Sequence, residues 1–164
     1  MKAIKVILKN YEIFKKDPVD GVSIEFNEEN PFEWKILLQG PKDSPYEYGL
    51  YKVTCKFPQN YPNYPPEVTF KSEIFHPNIY SNGKVCISIL HPPGDDKYNY
   101  ESAEERWRPV HTINSILLSI ISLLSSPNDE SPANIDAAKM LRDDPKLLQK
   151  TINEVNKKNE KEIY

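Results

Sequence analysis

At 164 residues, 38% of them hydrophobic, the chain can bury one ordinary core but not two comfortable ones, so residues 1–164 read as a single domain. The net charge of −3 gives no overall attraction to nucleic acid or anionic membrane, and two cysteines with three scattered histidines fit neither a disulfide framework nor a zinc site. No glycine-rich phosphate-cradling loop occurs, so no bound cofactor is expected, and Met1–Lys5 interrupts its apolar residues too often for a signal peptide, which points to cytoplasm or nucleus.

Ala3 to Lys16 places Ile4, Ile7, Leu8, Tyr11 and Phe14 near the period of one helical face, and Asp17-Pro18 disfavours continuation. Runs rich in β-branched and aromatic residues follow at Val22–Asn27, Phe32–Gln39, Gly49–Phe57 and Glu67–Lys71, separated by Asn30-Pro31, Gly40-Pro41, Ser44-Pro45 and Pro58–Pro66. Short connections between four consecutive strands predict an antiparallel meander. From Ser72 to Pro109 neither period persists, and a structureless stretch of that length is commonly functional or disordered.

Ile113 to Leu124 is the most apolar segment, too short to span a bilayer and marked by Ser115, Ser119, Ser122 and Ser126 at helical spacing, so it reads as a core helix. Ser131-Pro132 and Asp144-Pro145 each supply a capping side chain followed by proline, which predicts helices over Ala133–Asp143 and Lys146 to about Glu160. Strands first and helices second argue for an α+β fold with the helices on one face of the sheet.

Within the long loop, Phe75-His76-Pro77-Asn78-Ile79 is followed eight residues after Asn78 by Cys86 in Gly83-Lys84-Val85-Cys86-Ile87-Ser88. A soft nucleophile downstream of a turn with a side-chain amide is the minimum for holding an acyl group as a thioester and stabilising the oxyanion of its transfer. Cys86 has three readings: a small buried hydrophobe, a hydrolase nucleophile activated by His76, His91 or His111, or a thioester acceptor. Cys55, in the alternating run Tyr51–Phe57, is expected in the core. His76 is a candidate base, but Pro77 and Phe75 on either side favour a packed, structural histidine. Asn78 either donates to the oxyanion or ties its loop to itself.

The His-Pro-Asn tripeptide and its distance from Cys86, together with the flanking sequence from Gly40 to Pro132, resemble the signature of ubiquitin-conjugating enzymes. The resemblance implies that ubiquitin is received from an activating enzyme as a thioester on Cys86 and passed to lysine with a ligase, ATP being consumed by the activating enzyme. It implies an organising role for His76 and Pro77. The stretch from His91 to Glu101, ending in Glu104-Glu105-Arg106-Trp107, looks like the acidic insert of one branch. With Ser125–Asn134 it resembles the G-type members, linked to chain building and degradation. Ser131 and Ser88 stand where many relatives carry Asp, leaving Asp95 and Asp96 of the insert as a local source of negative charge near the cysteine.

Partner surfaces follow the resemblance position by position. Ligases of the RING type are expected at the first helix, at Asn63, where relatives suited to HECT ligases often carry Phe, and at Pro109-Val110. The activating enzyme is expected at Lys5 and Lys9, which ordinary solubility would explain as well. The rivals are an inert ubiquitin-binding module on the same fold, which would generally lack the cysteine, and a cysteine hydrolase, which would turn over without an activating enzyme.

Overall fold

The computed structural model describes residues 2–94, 105–128 and 132–163. Helix α1 (Lys2–Lys16) precedes strands β1 (Val22–Glu25), β2 (Glu33–Gln39), β3 (Leu50–Lys56) and β4 (Glu67–Phe70); helices α2 (Ile113–Ser125), α3 (Ile135–Asp143) and α4 (Pro145–Ile163) follow. The sheet runs in the order β1-β2-β3-β4, antiparallel throughout, as the short connections require. Its buried face is set by the period of two. Trp34 pairs with Cys55, Ile36 with Val53 and Leu38 with Tyr51, and all six are almost fully buried.

Helix α1 departs in detail from the apolar pattern. The stripe turned inward is Ala3, Ile7, Asn10 and Phe14, and Leu8 is 43% exposed. Asn10 replaces an apolar residue there because its amide is used at both ends: Nδ2 donates to the Val6 carbonyl at 2.8 Å, and Oδ1 accepts the Ile113 N–H at 2.8 Å. That N–H is among the unpaired donors of the first turn of α2, where Thr112 also accepts from Ser115 N–H.

The start of α3 lies two residues beyond the expected Ala133. Asn134, not Ser131, caps it, accepting from Ala137 N–H at 3.1 Å, because the N–H groups of Ala133 and Asn134 turn out of the helix to the Pro77 carbonyl at 2.8 and 2.9 Å. Asp144 caps α4 as expected, accepting from Leu147 N–H. Besides Leu148 and Ile152, α4 is fastened by amides: Gln149 donates to the Pro45 carbonyl, Asn156 accepts from the Tyr51 hydroxyl and Asn159 donates to the Glu73 carbonyl. Among the described residues no helix is long and apolar enough to cross a membrane.

The free edge of β4 is covered by the chain that returns through the long loop. Phe70 N–H donates to the Gly83 carbonyl, Val85 N–H to the Val68 carbonyl, and Thr69 bridges to Lys84. Gly83 makes this approach possible. Its φ is +91°, and a Cβ there would lie 2.0 Å from the Phe70 carbonyl oxygen. Gly94 has φ of +115°, and among the described residues nothing lies within 4 Å of where its Cβ would stand. Gly83→Ala is therefore expected to lose on the order of 2–3 kcal/mol, and Gly94→Ala about 1 kcal/mol; urea unfolding of the two variants checks the difference.

Candidate active site

The turn Phe75–Asn78 is held at every carbonyl. Phe75 C=O accepts the Tyr46 hydroxyl at 2.7 Å, His76 C=O the Ile79 N–H at 3.2 Å, and Pro77 C=O the two N–H groups entering α3. Asn78 C=O accepts the Cys86 N–H at 3.0 Å. The cysteine is thus joined directly to the His-Pro-Asn turn through its own backbone.

His76 is fully buried. Its Nδ1 accepts the Asn78 N–H at 2.9 Å, so Nε2 carries the proton and donates to the Leu123 carbonyl at 2.9 Å, one of the unpaired acceptors in the last turn of α2. Both ring nitrogens are committed, and burial pushes the imidazole pKa down to about 4, against the opposing pull of the Leu123 bond. It is a neutral crosslink between turn and helix.

The Asn78 side chain is also buried. Its Oδ1 accepts the Asn128 N–H at 2.8 Å and its Nδ2 donates to the Asn128 carbonyl at 2.5 Å, a reciprocal pair that fixes both the amide orientation and the α2–α3 connection. Backbone donor and acceptor on one residue leave no choice in which end of the amide is oxygen.

Cys86 is half-buried, whereas Cys55 has no exposure and its thiol pKa is raised far by burial. Cys86 lines a shallow cleft of about 350 Å³ with Pro65, Tyr80, Lys84, Leu90 and His91. Ser88 opens a single 3₁₀ turn, Ser88–Leu90, whose last residue lines the same cleft. The Tyr80 phenol lies against Cys86; negative charge on the sulfur, then the hydrogen bond between the two side chains, raise its pKa. Tyr80 escaped the sequence reading. The available signal was the Ser81-Asn82-Gly83 turn, which folds Tyr80 back onto Lys84, with Tyr80 N–H donating to the Lys84 carbonyl at 2.9 Å.

The other expected positions separate. Asn63 and Pro109-Val110 flank one buried side chain: Trp107 donates its indole N–H to the Pro62 carbonyl at 2.7 Å and packs against Tyr61 and His111, leaving Asn63 exposed and Val110 72% exposed. Lys5 and Lys9 are exposed on α1. Asp95, Asp96 and Ser131 lie outside the described residues, but the base of the insert is closed by Trp107 N–H donating to the His91 carbonyl at 3.0 Å. Among the described residues no three His, Cys, Asp or Glu side chains converge on a position for a metal ion.

A histidine in the unfolded chain titrates near 6.5, and His76 resists protonation until about 4. Between these values the unfolded state binds a proton that the folded state does not, so the stability present above 6.5 is lost as pH falls toward 4. The full effect is about 3 kcal/mol. Urea unfolding at pH 7 and 4.5 measures the loss, and the imidazole ¹⁵N spectrum should show the Nε2–H tautomer persisting at pH 5.

A sequence model of the ubiquitin-conjugating enzymes matches residues 6–156. Ubiquitin-conjugating enzyme E2 14 of Arabidopsis thaliana is 54% identical over 152 residues, 92% of this chain and 91% of its own. Ubiquitin-conjugating enzyme E2 15 of Schizosaccharomyces pombe is 52% identical over 149 residues, 90% and 89% of the two chains. Ubiquitin-conjugating enzyme E2 G2 of Homo sapiens is 48% identical over 157 residues, 95% of each. With this coverage and a helix, four-stranded meander and three helices in that order, the chain belongs to the ubiquitin-conjugating enzyme family, close to its G-type members.

Proposed function

We propose that this enzyme accepts ubiquitin from the activating enzyme as a thioester on Cys86 and, with a ligase, transfers it to lysine, building chains for protein degradation. The observation that carries the assignment is the contrast between the cysteines: Cys86 is accessible in a cleft and bonded to the Asn78 carbonyl, and Cys55 is sealed in the sheet. The Cys86 thiolate attacks the thioester carbonyl of ubiquitin held on the activating enzyme; the new C–S bond forms as the old one breaks, and the activating enzyme's cysteine leaves as a thiolate. A neutral lysine amine then attacks the new thioester, the developing oxyanion takes a donor, and as the C–N bond forms and the C–S bond breaks Cys86 leaves as a thiolate and the amine's proton passes to solvent. His76 is not the base, since both its nitrogens are bonded and it stays neutral. Asn78 orders the Asn128 loop through one amide hydrogen and offers the other as an oxyanion donor.

ATP is consumed by the activating enzyme, which meets the α1 face at Lys5 and Lys9, and RING ligases meet the Trp107-centred surface of Asn63, Pro109 and Val110. Pro77 and Ser131 support the site, and Asp95 and Asp96 add negative charge for the incoming lysine. All 164 residues serve as one catalytic core, working in cytoplasm or nucleus.

Incubation with activating enzyme, ATP and ubiquitin should give a reductant-sensitive adduct that survives Cys55→Ser. Cys86→Ser should give a reductant-resistant ester or none. A normal thioester on Cys86→Ala would refute the assignment.

Asn78→Ala should load nearly normally and discharge to free lysine roughly 10²–10³-fold more slowly. The same substitution leaves the Asn128 backbone groups without their partner, so it should also destabilise the fold by about 1–3 kcal/mol; equal loss in loading and discharge would reduce Asn78 to a structural residue.

A further inference from the structure

Two neighbouring tyrosines are buried to the same degree and spend their hydroxyls differently. Tyr46 is 1% exposed and donates to the Phe75 carbonyl; Tyr51 is fully buried and donates to Asn156 on α4, each at 2.7 Å. The Tyr46 ring also lies against the His76 imidazole, centroids 5.3 Å apart at 37°. Tyr46 itself is held hard. Its loop is closed by Gly40 N–H donating to the Gly49 carbonyl and Gly49 N–H to the Tyr46 carbonyl, both at 2.8 Å, and Gln149 of α4 donates to Pro45 C=O alongside. A Cβ at Gly40 would lie 1.6 Å from the Tyr46 carbonyl oxygen, so the loop has no slack.

From these contacts we propose that Tyr46 is a positioning residue for ubiquitin transfer, setting the Phe75–His76 peptide and the His76 ring and through them the placement of Asn78 against Cys86. The path is short. The hydroxyl fixes the carbonyl of the peptide whose other half begins His76; the His76 ring holds the Asn78 N–H, and the Asn78 carbonyl holds the Cys86 N–H. A rotation of the 75–76 peptide therefore displaces the reacting sulfur and the amide relative to each other. Misplacement by 1 Å is associated with about a hundredfold in rate, and a fraction of that shift suffices for a measurable defect. Burial raises the Tyr46 phenol pKa, so the group remains a donor throughout the working pH range.

The inference rests on the reading of Cys86 as the thioester site, and the two are tested separately by comparing Tyr46→Phe with Tyr51→Phe. Each removes one buried hydroxyl and one hydrogen bond, and the unfolding midpoints should fall by similar amounts. In single-turnover discharge of preloaded ubiquitin to free lysine, Tyr46→Phe should be about tenfold slower and Tyr51→Phe within about twofold of the unmodified protein. The Nε2–H resonance of His76 should move in Tyr46→Phe and stay in Tyr51→Phe. Equal slowing in both variants, or wild-type discharge with an unmoved His76 resonance in Tyr46→Phe, would overturn the proposal. If the unmodified protein does not load ubiquitin, the Cys86 reading fails, and the His76 resonance alone decides whether Tyr46 sets the turn.

Discussion

Four successive carbonyls in the turn Phe75–Asn78 are each bonded, and three of them take their donors from elsewhere: the Tyr46 loop, the entrance of α3 and Cys86. A peptide with its carbonyl taken cannot rotate without breaking a bond in a buried place, where an unpaired polar group costs about 1–3 kcal/mol. The side chains add to this, His76 reaching the end of α2 and Asn78 the connection that follows it. The turn therefore serves as the hub to which the sheet side and the helical side are tied, and the cysteine inherits its position from that hub.

Transfer chemistry explains why such rigidity is placed here rather than around a base. An acyl group that arrives activated needs an accessible sulfur and a fixed oxyanion environment more than a proton acceptor on the cysteine. The only fully buried histidine of the site is kept neutral by its burial and by its two bonds. Tyr80, by contrast, is 46% exposed and lines the cleft with Cys86, whose sulfur raises its phenol pKa, so this polar group is one that solvent can reach.

Periodicity made the elements legible: all four strands and the first helix lie within two residues of the expected boundaries, because the core face of each is mostly apolar. It failed where a polar group does the work of burial. Asn10 was unreadable as a core residue, and Leu8, apolar and 43% exposed, took its place in the pattern. The start of α3 was misplaced because the capping rule cannot know that Ala133 and Asn134 have a better acceptor at Pro77, 56 and 57 residues earlier in the chain. At the site, the motif located His76, Asn78 and Cys86, but Asn128, Leu123 and Tyr46 enter through backbone carbonyls, N–H groups or a distant hydroxyl. Such partners leave no trace in local residue type.

The segment that brings Cys86 into place also covers β4, whose outward N–H and C=O groups would otherwise form an open strand edge. The placement of Cys86 and protection against self-association are thus carried by the same few hydrogen bonds at Gly83, Lys84 and Val85. A lesion that lets this hairpin swing away would do more than slow the enzyme, since it would bare a template for pairing with a second chain. A substitution that loosens this segment therefore moves the cysteine and opens the sheet edge together.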